Sequence, residues 1–176
     1  MARTWLSIRV ELVEGRADRF WPRPGRIFAA ARRHTFADLA EAIDDAFGRW
    51  DRAHLHQFDL SGDRVVTTDD EHAPEDSEPS SKVRLSTLEA GEQFSYTFDL
   101  GDNWTHLCTV GSSRVDPFEE FGFEPEQPLP YWGWGSIPDQ YGRDFDDYEG
   151  DDGPGKDPGW KDLPPLHPHW GPNRRR

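Results

Sequence analysis

The sequence predicts an α+β domain in which one main amphipathic helix packs on a mostly antiparallel sheet. Three observations predict it. Residues 5–12 (WLSIRVEL) alternate Leu6, Ile8, Val10 and Leu12 with Ser7, Arg9 and Glu11, the period-2 pattern of a half-buried strand. Phe36, Leu39, Ala40, Ile43 and Phe47 recur instead at helical spacing and make one apolar stripe. Residues 93–100 (QFSYTFDL) and 104–110 (WTHLCTV) carry two alternating rows, Phe94, Tyr96 and Phe98 against Trp104, His106, Cys108 and Val110, which reads as a hairpin.

Taken in order, the 5–12 strand is followed by a Pro- and Gly-punctuated connection over 15–25 and a second strand over 26–31 (RIFAAA), the latter weakened by its alanines. Thr35 suits a helix N-cap, with Asp38 three residues on as the reciprocal partner of a short capping box. Gly48 stands where a left-handed residue commonly ends a helix. Residues 53–60 (AHLHQFDL) and 64–67 (RVVT) flank a Ser61-Gly62-Asp63 turn. This strand-strand-helix-strand-strand opening admits a β-grasp-like core. Residues 69–82 hold six acids in their first ten positions and read as an acidic solvated loop; Leu85 and Leu88 bring the chain back. In the later hairpin a three-residue connection, Gly101-Asp102-Asn103, would set Phe98 opposite His106 and bring both rows to one face. A two-residue turn at Asp102-Asn103 would oppose the aromatic row to Thr105 and Thr109, and burial favours the first register.

Beyond Asp116 lie eleven of the fifteen prolines and four of the eight tryptophans. Proline removes backbone donors, so the expectation is an irregular aromatic- and Pro-rich wrap to Tyr148. One domain over 1–148 and a loosely packed or disordered Pro/Gly/acidic tail over 149–176 fit the length of 176 residues.

Composition narrows function. Lys and Arg number 20 against 34 Asp and Glu, a formal net charge of -14, which argues against non-specific nucleic-acid binding and for a basic protein partner. No apolar run is long enough to span a membrane, the single cysteine, Cys108, has no partner within the chain for a disulfide, and the N-terminal residues lack a signal-peptide pattern. A cytoplasmic protein is the expectation.

The blocks FGRWDRAHLHQFDL (47–60) and FSYTFDLGDNWTHLCTV (94–110) resemble the plasmid pRiA4b ORF-3-like family, whose members are also described as transposon passenger proteins. The resemblance runs from about Trp5 to Gly142. It implies a compact α+β domain without an established activity, associated with mobile elements. Departures from the family pattern are Arg49 between Gly48 and Trp50, Ala40 where many relatives carry histidine, and Gln140 and Arg143 in place of an acid and a glycine.

Two readings of the polar residues compete. His54 and His56, two apart on the expected strand, project from one face beside Phe58 and Leu60, and His106 sits between Trp104 and Cys108. If the hairpins lie side by side, these imidazoles with Asp99 or Asp102 would form a shell suited to a divalent transition metal, zinc or manganese. The alternative is that each is a hydrogen-bonded structural histidine, with Cys108 an apolar filler and Asp102-Asn103 ordinary turn chemistry. In a regular hairpin Asp99 faces away from His106. The run Trp132-Gly133-Trp134-Gly135, with Trp104, Tyr131 and Asp139, would either cap the core or line a binding groove. The acids from Asp139 to Asp152 lack the spacing of a calcium loop and read as a solvated face. The leading expectation is therefore a non-enzymatic binding or accessory module; the rival is a metal-dependent hydrolase or nuclease.

Overall fold

The structure, a computed structural model, describes residues 5–142. Its strands are β1 (Trp5–Gly15), β2 (Asp18–Arg19), β3 (Gly25–Ala31), β4 (His56–Asp59), β5 (Val65–Thr67), β6 (Glu78–Pro79), β7 (Gln93–Phe98), β8 (Trp104–Val110) and β9 (Leu129–Trp134). Two helices are α1 (Phe36–Ala46) and α2 (Pro117–Phe121). All the strands join one sheet in the order β6-β5-β4-β7-β8-β1-β3-β9, with β2 as a short partner of β1. Every pairing is antiparallel except β5 with β6. The chain is thus α+β with a mostly antiparallel sheet.

Alternation decides which side of the sheet is filled. Leu6, Ile8, Val10 and Leu12 of β1 join Phe28, Phe58, Phe94, Tyr96, Phe98, Trp104 and Cys108 beneath the α1 stripe Phe36, Leu39, Ala40, Ile43 and Phe47. Removing a large apolar side chain from water contributes roughly 1.5–3 kcal/mol, so this layer dominates stability. Trp5, Ala29 and Ala31 form a smaller cluster with Val115, Phe121 and Tyr131. Helix α1 starts as its sequence dictates. Thr35 Oγ1 accepts from the Asp38 amide at 3.1 Å, and Asp38 Oδ2 accepts from the Thr35 amide at 2.8 Å.

Four expectations require correction. The β7–β8 connection has five residues, so Phe98 opposes Trp104, Tyr96 opposes His106 and Phe94 opposes Cys108. The cause is Asp99: with φ 62 it leaves the ladder early, and its Oδ1 accepts from the amides of Gly101 and Asp102 at 2.9 and 3.2 Å. Both rows still face α1. Strand β4 begins at His56 rather than at residue 53, and the Ala53 amide turns back onto Asp51 Oδ1 at 3.1 Å instead of joining a ladder. Within 69–82, Glu78 and Pro79 pair with β5, and Ser80 is buried. The segment beyond Asp116 is more regular than an irregular wrap. Asp116 caps α2, Pro117 opens it and Gly122 (φ 80) closes it, while β9 takes the sheet edge, where the missing amide of Pro130 is tolerated. The 148/149 boundary, the acids after Asp139, Arg143 and the terminal arginines lie outside the described residues.

Candidate functional site

Polar groups converge where α1 ends against the β7–β8 hairpin. Asp44 lies four residues after Ala40 and three before Phe47, so the helix carries a carboxylate into its own buried face. It accepts from the Tyr96 hydroxyl at 2.7 Å, with Arg52 at 3.7 Å. Burial pushes the Asp44 carboxyl up to about 7, even though Tyr96 and the arginines oppose the shift. Gly48, at φ 69, then turns the chain so that Arg49 is only 1 % exposed. The Arg49 guanidinium lies 3.7 Å from the centre of the Trp104 ring. Gly15 admits that ring, since a Cβ there would stand 2.1 Å from it.

Burial lowers Arg49 to about 10, which still leaves it charged at neutral pH. Its Nε and both Nη atoms have no hydrogen-bond partner among the described residues, and neither do Trp104 Nε1 and His106 Nε2. His106 is fully buried and packs edge-on to Phe47 at 4.8 Å. Its Nδ1 pairs with the Tyr96 carbonyl at 3.0 Å, which assigns the proton to Nδ1 and leaves Nε2 a bare acceptor. Desolvation, followed by the nearby Arg49 charge, depresses this imidazole to about 3.

Above this interior layer lies a part-exposed rim. His54 Nε2 pairs with the Tyr141 hydroxyl at 2.8 Å, and that hydroxyl donates to Asp51 Oδ2 at 2.6 Å. Asp99 Oδ2 lies 3.5 Å from His54 Nδ1. The Tyr141 hydrogen bond holds Asp51 below the ordinary carboxylate range; burial and then Asp51 push the Tyr141 hydroxyl up. Asp102 and Asp99 add to the field at Tyr141, and Asp102 itself stands 3.9 Å from Arg16. Asp139 accepts from Trp50 Nε1 at 3.3 Å and from the Tyr141 amide at 3.0 Å. Gln140, fully buried, straps this segment down by accepting from the amides of Trp50 and Asp51.

The structure therefore brings His54, Asp99, Asp102 and Asp139 together and places Trp104 beneath them. His56 is elsewhere. Its Nε2 pairs with Ser80 Oγ at 2.9 Å, and burial lowers it to about 4. The Tyr96 ring contacts both His56 and His106, at 5.9 and 5.4 Å between centroids, so an aromatic side chain occupies the ground between those imidazoles. Among the described residues no group of three or more His, Cys, Asp or Glu could hold a metal ion. Burial pushes the Cys108 thiol up, away from the reactive thiolate.

Tyr131, Trp132 and Trp134 belong to the opposite face of the sheet. Arg9, which alternates with the inward Ile8 and Val10, sits 4.6 Å over the Trp134 ring. Trp134 also donates to the Arg23 carbonyl at 2.8 Å, and Tyr131 pairs with Ser7 Oγ at 2.9 Å. Trp132 is 46 % exposed.

Asp44, Arg49, Asp51, Gln140 and Tyr141 are site residues that the reading of the sequence did not single out as such. Asp44 had a signal, a carboxylate on the apolar stripe of α1. Arg49 and Gln140 were visible only as departures from the family pattern, and Asp51 and Tyr141 reveal themselves only when residues some 90 apart in sequence meet.

The chain matches the family described as plasmid pRiA4b ORF-3-like protein over residues 6–120. No curated protein matches it. Among solved structures it is similar to the crystal structure of a protein of unknown function from Methanosarcina mazei Go1, with a TM-score of 0.51 and 20% identity. That likeness covers 72% of this chain and 61% of the other, and it concerns the fold. With the 47–60 and 94–110 blocks now placed at the two sides of one polar site, and with the family match spanning well over half its length, the chain belongs to the plasmid pRiA4b ORF-3-like family.

Proposed function

We propose that this domain is a non-enzymatic binding module that receives a basic segment of a protein partner at the rim. The observation that carries the reading is the gathering of the part-exposed Asp51, Asp102 and Asp139 around Tyr141 and His54, with the buried Asp99 carboxylate behind them. Carboxylates so close favour a cation in their midst, and the formal net charge of -14 steers basic partners toward the molecule. The chemistry nearby favours binding over catalysis. The Tyr141 hydroxyl and Cys108 thiol are both shifted toward their protonated, inert forms. The family description names a plasmid reading frame, which supports an accessory role among the proteins of a mobile element.

The test is a titration with a synthetic lysine- and arginine-rich peptide at low and moderate salt. The Asp51→Asn/Asp139→Asn variant is expected to weaken binding about tenfold, whereas Asp69→Asn/Asp70→Asn in the exposed acidic loop leaves the rim's contribution intact. Equal binding by wild type and rim variant, or loss of binding only in the loop variant, would remove the rim from the interface.

A further inference from the structure

The rim does not use the groups beneath it. Arg49 carries a full charge into a layer closed to solvent, and a buried guanidinium demands charge-assisted hydrogen bonds. Among the described residues the anions that favour the Arg49 charge, Asp44 and Asp139, spend their hydrogen bonds elsewhere. Asp44 is held by Tyr96 and lies beside Arg52, and Asp139 accepts from Trp50 and the Tyr141 amide. Neither hydrogen-bonds Arg49, whose Nε and two Nη atoms stay unpartnered among the described residues, as does the neighbouring Trp104 indole nitrogen. The guanidinium is nevertheless held in place, 3.7 Å over the Trp104 ring, and Trp104 is itself stacked with Phe20 at 6.2 Å.

We propose that Arg49 and the Trp104 indole N–H bind the carboxylate of a small organic acid inside the domain. The planar fork of arginine matches a carboxylate with two parallel hydrogen bonds, and the indole adds a donor that only an acceptor can satisfy. The surroundings select the rest of the ligand. Phe47, Phe20, the Trp104 ring and the neutral His106 ring offer aromatic surface, which suits an apolar body behind the carboxylate and disfavours a strongly hydrated phosphate. This assignment is independent of the rim and stands whether or not a basic partner binds there.

The test follows the indole N–H signals of the ¹⁵N-labelled full chain during titration with sodium benzoate or sodium acetate. Sodium chloride and sodium phosphate serve as matched controls. The Trp104 signal is identified by its absence from the Trp104→Phe spectrum. It is expected to move downfield and saturate with the carboxylates, benzoate binding more tightly than acetate, and not with chloride or phosphate. Arg49→Met should weaken benzoate binding at least tenfold. Trp104→Phe, which keeps the ring and removes the donor, should weaken it several-fold when followed by thermal shift, so that a poorly folding Arg49 variant still leaves a decisive measurement. Absence of a saturable response to either carboxylate would overturn the proposal, as would undiminished binding in both variants or a phosphate response as strong as that to benzoate.

Discussion

Asp44 shows how one helix position can set the electrostatics of an interior. Its carboxyl titrates near 7 in the folded chain against 3.8 for the unperturbed group, because burial penalises the charge more than Tyr96 and Arg52 stabilise it. The folded state therefore keeps a proton that the unfolded state gives up. The associated stability is fully present below about pH 4 and is lost as pH rises through 7, a span of at most about 4 kcal/mol. Asp44→Asn removes the titration and keeps an oxygen for the Tyr96 hydroxyl. Urea unfolding should show the variant gaining on the wild type between pH 4 and pH 8. A difference that stays constant over that range would show that the carboxylate is already compensated.

Strand β9 makes the same point for an element. Its two tryptophans share a face but not a role. The Trp134 ring fills the space over Gly25, where a Cβ would meet it at 2.2 Å, and it is fixed by Arg9 and the Arg23 carbonyl. Trp132 is half-exposed. Trp134→Ala is expected to cost about 3 kcal/mol in chemical denaturation, and Trp132→Ala no more than about 0.5. Comparable losses at both positions would mean that Trp132 also anchors the edge. How far such elements can be read in advance depends on whether their cause is local. The capping box of α1 and the alternation in β1 are complete within a few residues, so both were legible. The β7–β8 register was not, because the positive φ of Asp99 and its side-chain bonds outweigh the alternation that points to a longer ladder. Strand β9 was masked by Pro128 and Pro130, which an edge tolerates and an interior strand does not. For the site, His54, Asp99, Asp102 and Asp139 could be named from the sequence. Their shared surroundings could not, since Gln140 and Tyr141 reach the 50–54 segment only in the folded chain.

At the scale of the whole molecule, three buried imidazoles, His34, His56 and His106, are all lowered by burial and oppose Asp44. His106 and His56 titrate near 3 and 4 when folded, below 6.5, so they stay neutral in the fold while the unfolded chain takes up protons. Their contribution is present above pH 6.5 and is lost as pH falls toward 4. Three such groups against one Asp44 make the domain lose stability as pH falls across that window. His106→Gln should lessen the slope of unfolding midpoint against pH, because one of the three opposing imidazoles no longer titrates; an unchanged slope would contradict this balance. Above these buried titratable groups lies the acidic rim, which gives the molecule its proposed use. The most direct test of that use is to map a basic peptide onto the ¹⁵N-labelled chain by amide shift changes. The account predicts that they concentrate in residues 50–54, 99–103 and 139–142. Changes confined to the 69–76 loop or to β9, with those three segments silent, would contradict it.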